Sequence, residues 1–238
     1  MRVLAISGSL RRCSYNTALL RAAEAGAASV AEFVFWHGLA GIPAYNEDLE
    51  AAVPASVARL RREIARSDAV LIATPEYNAS VPGALKNALD WASRPFAENA
   101  LRNKPVAAIG ASPGVFGAVW AQADLRRILA TIGARVEERD LPVAQAHEAF
   151  TADGGLRDPK LATSLRSIVG DLVSRAAQRA AWDTPLRLRQ LGREHVDVLD
   201  RRRLGQELVC PAHEGRGNGP GQMRLAAAVI GEDVDDRE

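Results

Sequence analysis

The sequence is poor in the residues that build disulfide-rich and metal-rich proteins. It has 238 residues and only two cysteines, Cys13 and Cys210, which lie far apart along the chain. Two distant cysteines form no disulfide framework, so we expect both thiols to be reduced, as in a cytosolic protein. The four histidines are scattered, and the pair Cys210 and His213 is a bare CxxH sequence. Because a zinc site requires three or four ligands, we predict no metal site.

An excess of charge of one sign is also lacking. The formal net charge is +1 with 25% charged residues, which gives no reason to expect a nucleic acid or an anionic membrane as partner. No apolar run approaches the roughly 20 residues of a membrane helix. The first ten residues, MRVLAISGSL, contain an apolar run too short for a secretory signal. We therefore expect a cytoplasmic protein.

Short apolar runs alternate with helical patterns along most of the chain. Buried strands are predicted at residues 3–6, 33–36, 69–74 and 106–111. A fifth strand is predicted at 134–138, and because it is less apolar it is predicted to lie at an edge of the sheet. Helices are predicted at 17–28, 53–66, 82–93, 119–132 and 158–181. This alternation predicts an α/β domain over residues 1–182, with a doubly wound five-stranded parallel sheet and helices on both faces. Residues 183–238 lack the alternation and are predicted to be an appended, partly disordered tail.

In such a sheet, ligands bind at the carboxyl ends of the strands. The first loop to examine there is SGSLRRCSYNT. It lacks the GxGxxG pattern of dinucleotide sites and the lysine of the P-loop. Its polar side chains are predicted to surround a helix N-terminus, whose free N–H groups attract anions. These side chains are Ser9, Arg11, Ser14, Asn16 and Thr17. The set suits a terminal monophosphate held without metal, although a simple cluster that caps the helix is an alternative.

The second loop follows the strand at 69–74 and is bracketed by Pro75 and Pro82. Between these prolines lie Glu76, Tyr77 and Asn78, which would form a rigid wall for a flat heterocycle. The alternative is a structural turn in which Tyr77 covers the core.

The third loop, within GASPGVFG, contains Gly110, Gly114 and Gly117. Glycines allow a ligand to approach the backbone closely, but they also occur in ordinary tight turns. By itself this loop favours the turn.

Taken together, four motifs resemble the NADPH-dependent FMN reductase family, on the branch with bacterial quinone and chromate reductases. They are GSLRRCSYNTALL, IPAYNEDLE, ATPEYNASVPGALKNALDWASRP and GASPGVFG, and the resemblance covers residues 1–180. It implies a flavodoxin-like fold with FMN at the carboxyl edge of the sheet. By position it implies that the FMN phosphate is held by Ser9, Arg11, Ser14, Asn16 and Thr17. It also implies that the ribityl chain and the ring contact Pro75, Glu76, Tyr77 and Asn78 on one side and Ser112, Gly114 and Gly117 on the other.

The same resemblance implies an activity. The expected enzyme passes hydride from NADPH or NADH to the flavin and on to a quinone, chromate, azo or flavin acceptor, as a homodimer or homotetramer. Because the flavin carries this chemistry, no catalytic side chain is predicted. Two alternatives remain open: a flavodoxin-like electron carrier without NAD(P)H oxidase activity, and a sensory or scaffold protein with vestigial flavin binding. One position departs from the family pattern, since Trp120 in GAVWAQ stands where similar proteins often have arginine.

Overall fold

The computed structural model describes residues 1–179, so the predicted tail at 183–238 and the domain boundary at 182 lie outside the described residues. The strands are β1 (Arg2–Ser7), β2 (Glu32–Trp36), β3 (Ala69–Thr74), β4 (Pro105–Ala111), β5 (Arg135–Val136) and β6 (Pro142–Val143). The helices are α1 (Tyr15–Ala27), α2 (Ala55–Arg66), α3 (Gly83–Ala92), α4 (Val119–Ile132) and α5, which covers 159–179 of the described chain.

All strand pairs are parallel, and the strand order is β2-β1-β3-β4-β5. This is the doubly wound, flavodoxin-like order, as predicted. The fifth strand differs in detail, because it is divided into two short segments that both pair with β4. β5 pairs near the beginning of β4, and β6 pairs with Gly110 and Ala111 at its end. The sequence analysis missed β6 because the polar run EERD between the two segments has no strand pattern.

The core has one layer on each face of the sheet. Strands β3 and β4 are buried along their whole length, so helices must cover both sides. Alternate side chains of the strands pack against α1 and α5 on one face, and against α2, α3 and α4 on the other. This arrangement leaves the carboxyl edge of the sheet, with its loops, as the place where a ligand can approach.

The conspicuous motif IPAYNEDLE is held against α3 by hydrogen bonds. Asn87 Oδ1 accepts from the backbone N–H of Tyr45 at 2.8 Å, and Trp91 Nε1 donates to the carbonyl of Pro43 at 2.9 Å. The Tyr45 ring also packs edge-on against Trp91, with centroids 5.0 Å apart. Two segments that are about 40 residues apart in the sequence are thus held together by hydrogen bonds and ring packing.

A buried carboxylate ties the segment between β5 and β6 to α5. Glu137 is only 3% exposed, and it accepts a hydrogen bond from Arg139 Nε at 2.8 Å. Arg175 on α5 lies 3.1 Å from the same carboxylate, and Arg139 also bonds to Asp171 on α5. Burial raises the pKa of Glu137, but the hydrogen bonds from Arg139 and the charge of Arg175 outweigh it, so the pKa is lowered overall.

We expect Glu137→Gln to destabilise the fold in a pH-dependent way. A carboxyl group whose pKa is lower in the folded state stabilises above its ordinary value of 4.5, and this contribution is lost as pH falls through the folded pKa. The variant should therefore lose about 1–3 kcal/mol of unfolding free energy at neutral pH, and the difference should shrink in acid. Urea denaturation over a pH series measures it. The exposed neighbour variant Glu138→Gln is the control, and a loss independent of pH would contradict the assignment.

Candidate functional site

Three loops meet at the carboxyl edge of the sheet. The first loop (residues 8–14) follows β1, the second loop (75–82) follows β3, and the third loop (112–118) follows β4. Because β1, β3 and β4 are neighbours in the sheet, the three loops lie side by side. The first loop is also bonded directly to β3, since Gly8 N donates to the Ala73 carbonyl at 2.8 Å. The structure thus brings together the three segments predicted from the sequence.

The first loop ends at the N-terminus of α1. Ser14 is the N-cap residue, and its buried hydroxyl accepts from the N–H of Asn16. The remaining N–H groups of a first helical turn have no acceptor within the helix, and the first turn of α1 contains no acidic residue. Arg11 and Arg12 are exposed beside it. A helix end with two arginines and no carboxylate attracts an anion.

The other side chains of the first loop have local roles as well. The Ser9 hydroxyl accepts from the backbone N–H of Arg11 at 3.3 Å and so shapes the loop. The Arg11 guanidinium bonds to the Cys13 carbonyl and lies 5.5 Å from the ring centroid of Tyr15. Thr17 is half-buried on the first turn of α1. These residues remain next to the helix N-terminus, where the sequence placed them.

The Asn16 side chain makes a contact that the sequence does not reveal. Its side chain is 2% exposed, and both polar atoms of its amide bond to the backbone of Ala111 at the end of β4: Nδ2 donates to the carbonyl at 2.9 Å, and Oδ1 accepts from the N–H at 3.0 Å. The amide therefore links the start of α1 to the end of β4, and its predicted contact with a phosphate stays a prediction. No local signal reveals this contact, because the partners are 95 residues apart.

The second loop is a tight turn. Tyr77 and Ser80 exchange two backbone hydrogen bonds of 3.0 and 3.1 Å, with Asn78 and Ala79 at its tip. Both tip residues have positive φ, 53° and 58°, as such turns require. Tyr77 is 50% exposed, so it does not cover the core as the alternative interpretation required. Pro75, half-buried at the start of the loop, accepts a hydrogen bond from the Thr74 hydroxyl.

The Glu76 side chain has a role that the sequence analysis missed. Its Oε2 accepts from the N–H groups of Trp120 and Ala121 at 3.0 and 3.1 Å, and so caps α4. The N-cap position of α4 is Ala118, which has no side-chain acceptor to offer. A carboxylate from the second loop thus satisfies the helix end that follows the third loop.

The third loop is held by β6 and by α4. Ser112 N donates to the Val143 carbonyl at 3.0 Å, and the Ser112 hydroxyl accepts from Gly114 N at 3.2 Å. A Cβ on Gly114 would meet only that hydroxyl, so space is open at this glycine. Gly114 therefore fits the predicted close approach of a ligand.

Gly117 has a different reason to be glycine. Its φ is 59°, and a Cβ there would lie 2.5 Å from the carbonyl carbon of Pro142. Buried Gln122 holds the same region, because its amide donates to the Gly117 carbonyl and accepts from Leu141 N. The positive φ and the packing against β6 are thus sufficient to require glycine at this position, and the predicted contact of Gly117 with a ligand stays a prediction.

A pocket of about 310 Å³ opens between the first loop, the second loop and the start of α3. It is lined by Gly8, Leu10, Arg11, Tyr77, Pro82, Gly83 and Ala84. The lining combines backbone groups, one aromatic ring and one arginine, which suits a flat ligand with an anionic end. Residues 1–179 contain no cluster of three or more His, Cys, Asp or Glu side chains placed to hold a metal ion. No helix in the same range has both the length and the apolar character needed to cross a bilayer.

Known proteins resemble this chain over the same region. A profile of the NADPH-dependent FMN reductase family matches residues 1–148, which include all three loops. An NAD(P)H-dependent FMN reductase of Pseudomonas aeruginosa is 44% identical over 162 residues, 67% of this chain and 86% of that one. A quinone reductase of Pseudomonas putida is 44% identical over 150 residues, 62% of this chain and 76% of that one. The solved structure of a flavoenzyme NAD(P)H:(acceptor) oxidoreductase from Paracoccus denitrificans has a TM-score of 0.66 and 42% identity, and covers 74% of this chain and 97% of that one.

We expect Arg11→Gln to weaken the binding of FMN but not of riboflavin, which lacks the phosphate. The loss of one charge-assisted hydrogen bond corresponds to about tenfold in affinity or more. Titration of the flavin-free protein, followed by flavin fluorescence, measures both ligands. Arg62→Gln, an exposed arginine on α2, removes the same charge away from the loops and should change neither affinity. If Arg11→Gln weakened the binding of FMN and of riboflavin equally, the prediction that Arg11 contacts the phosphate would be wrong.

Asn16→Leu should lower stability and weaken both flavins, whereas a side chain that contacts only the phosphate would affect FMN alone. Because the change leaves the N–H and carbonyl of Ala111 unpaired, it should lower the unfolding free energy by about 1–3 kcal/mol. It should also weaken FMN and riboflavin by similar factors, since it displaces the third loop. The same titration, together with urea denaturation, tests this. A loss confined to FMN would place the amide on the phosphate after all.

Proposed function

Because the chain belongs to the NADPH-dependent FMN reductase family, we propose that it reduces a quinone with electrons taken from NAD(P)H, through FMN held by the three loops. The family establishes the enzyme class and the cofactor: the chain is an NAD(P)H-dependent oxidoreductase that uses FMN. The acceptor and the residues that hold the flavin are our proposals. The observation that carries them is the meeting of three loops, one cationic and two uncharged or acidic, at one edge of the sheet.

The first loop would hold the phosphate of FMN. Its helix N-terminus offers backbone N–H groups, and Ser9, Ser14 and Thr17 add hydroxyls close to it. Arg11 adds a positive charge. Asn16 would contribute indirectly, by fixing the position of α1 against the third loop. A single phosphate needs no more positive charge than this, and no metal.

The second and third loops would hold the ribityl chain and the ring. The side chain of Glu76 is already engaged by α4, so the part of Glu76 available to the flavin is its backbone. The tight turn at Tyr77 and Asn78 forms one rigid wall. Ser112 and open Gly114 would form the opposite wall, with Gly117 as the support that keeps this loop against β6.

When bound, FMN accepts hydride from the nicotinamide and delivers two electrons to the acceptor. The chain itself would then act by binding and orientation, because rigid loops fix the distance and angle between reacting rings. This explains why the sequence predicts no catalytic acid, base or nucleophile. The electron-carrier alternative has no observation in its favour. We further propose that the enzyme acts in the cytoplasm, as a homodimer or homotetramer.

The test is NAD(P)H oxidation by the full-length, FMN-loaded protein, with 1,4-naphthoquinone as acceptor. We expect steady oxidation that depends on the quinone and on bound FMN, with the flavin-free protein as control. A protein whose flavin is reduced by dithionite but not by NADH or NADPH would contradict the proposal and favour the electron carrier. A protein that takes up no FMN would instead favour the scaffold alternative.

A further inference from the structure

Two helix N-termini lie at the candidate site, and their electrostatic surroundings are opposite in sign. The N-terminus of α1 lies beside Arg11 and Arg12, and its first turn contains no carboxylate. The N-terminus of α4 is already occupied by the Glu76 carboxylate, which accepts from two of its N–H groups. An anion is therefore attracted to the first helix end and repelled from the second.

The segments next to the N-terminus of α4 also lack positive charge. Residues 75–82 and 112–124 contain no lysine, arginine or histidine, and their two charged residues are Glu76 and Asp124. Asp124 accepts a hydrogen bond from the Ser80 hydroxyl at 2.5 Å and lies against Arg127, one turn further along the helix. Residues 75–82 and 112–124 thus contain no cation of their own, and their two carboxylates are engaged, Glu76 by the N-terminus of α4 and Asp124 by Ser80 and Arg127.

The same side presents exposed apolar side chains. Phe116 and Trp120 pack against each other with ring centroids 4.7 Å apart, yet they are 58% and 47% exposed. Val115, which precedes Phe116 in the chain, and Tyr77 in the second loop are exposed as well. Large exposed apolar side chains grouped in this way mark a binding surface. Because Glu76 bonds to Trp120 N, this surface lies directly beside the second loop.

We propose that the Phe116–Trp120 pair is the surface on which the electron acceptor lies, and that it selects uncharged planar acceptors over anions such as chromate. This inference rests on the proposed function, and it adds the surface that would select the acceptor. A planar quinone stacks on aromatic rings, whereas an anion finds there no free helix N-terminus, and Arg127 on α4 is already paired with Asp124. Quinones are therefore preferred for a reason of charge as well as of shape.

Two acceptors that share one ring system and differ in charge test the inference: 1,4-naphthoquinone and 1,4-naphthoquinone-2-sulfonate. Each is titrated into the oxidised, FMN-loaded protein without electron donor, and tryptophan fluorescence reports binding; kcat/KM is then measured with NAD(P)H. The wild type should favour the neutral quinone about tenfold in both readouts. Trp120→Arg should reduce or reverse this preference. Val30→Arg adds the same charge to another exposed apolar position, at the opposite edge of the sheet, and should leave the preference unchanged.

Each contrary result has a separate meaning. An unchanged preference in Trp120→Arg, and in Phe116→Lys as a second variant, would overturn the inference. The surface could instead be covered by a second copy of the chain, and size-exclusion chromatography tests this. If either variant alters the oligomeric state but not the preference between acceptors, the surface contacts a second copy and the inference is wrong. Absence of NAD(P)H oxidation with both acceptors would count against the proposed function, while the binding titrations would still decide the selectivity.

Discussion

The bond between the Asn16 amide and the backbone of Ala111 is the constraint on which the geometry of the site depends. It joins the first turn of α1 to the end of β4, and so fixes the first loop relative to the third. Glu76 makes the matching connection from the second loop to α4. With these two links, the three loops form one rigid edge although they come from distant parts of the chain. Such preorganisation is what a cofactor enzyme needs, since the protein contributes position and the cofactor contributes chemistry.

The charge distribution follows from the same contacts. The Glu76 carboxylate caps the N-terminus of α4 and so removes the attraction of that helix end for anions. The N-terminus of α1 keeps its attraction for anions and has arginines beside it. A ligand with one anionic end and one flat end would therefore have a single favourable orientation across the loops. The exposed rings of Phe116 and Trp120 lie at the third loop and the start of α4, where the flat end of such a ligand would be. If the flavin and the acceptor bind as we propose, the orientation of the one and the choice of the other would both depend on this electrostatic difference.

Much of this architecture is predictable from local sequence patterns. β3 and α4 have the predicted bounds, because a continuous apolar run and an amphipathic stretch ending at Gly133 are strong local signals. Other features depend on contacts between distant residues, which no local pattern contains. These include the Asn16 bond, the capping of α4 by Glu76, the packing reason for Gly117, and β6, whose two residues pair only because β4 is adjacent. The residue types at the site were predictable, but several of their partners were not.

The crystal structure of the FMN-loaded protein tests the central claim most directly, through the position of the phosphorus atom. The account predicts hydrogen bonds from the FMN phosphate to backbone N–H groups at the start of α1, with the ring between the turn at Tyr77 and the open backbone at Gly114. A phosphate at the N-terminus of α4, with Glu76 displaced, would contradict it.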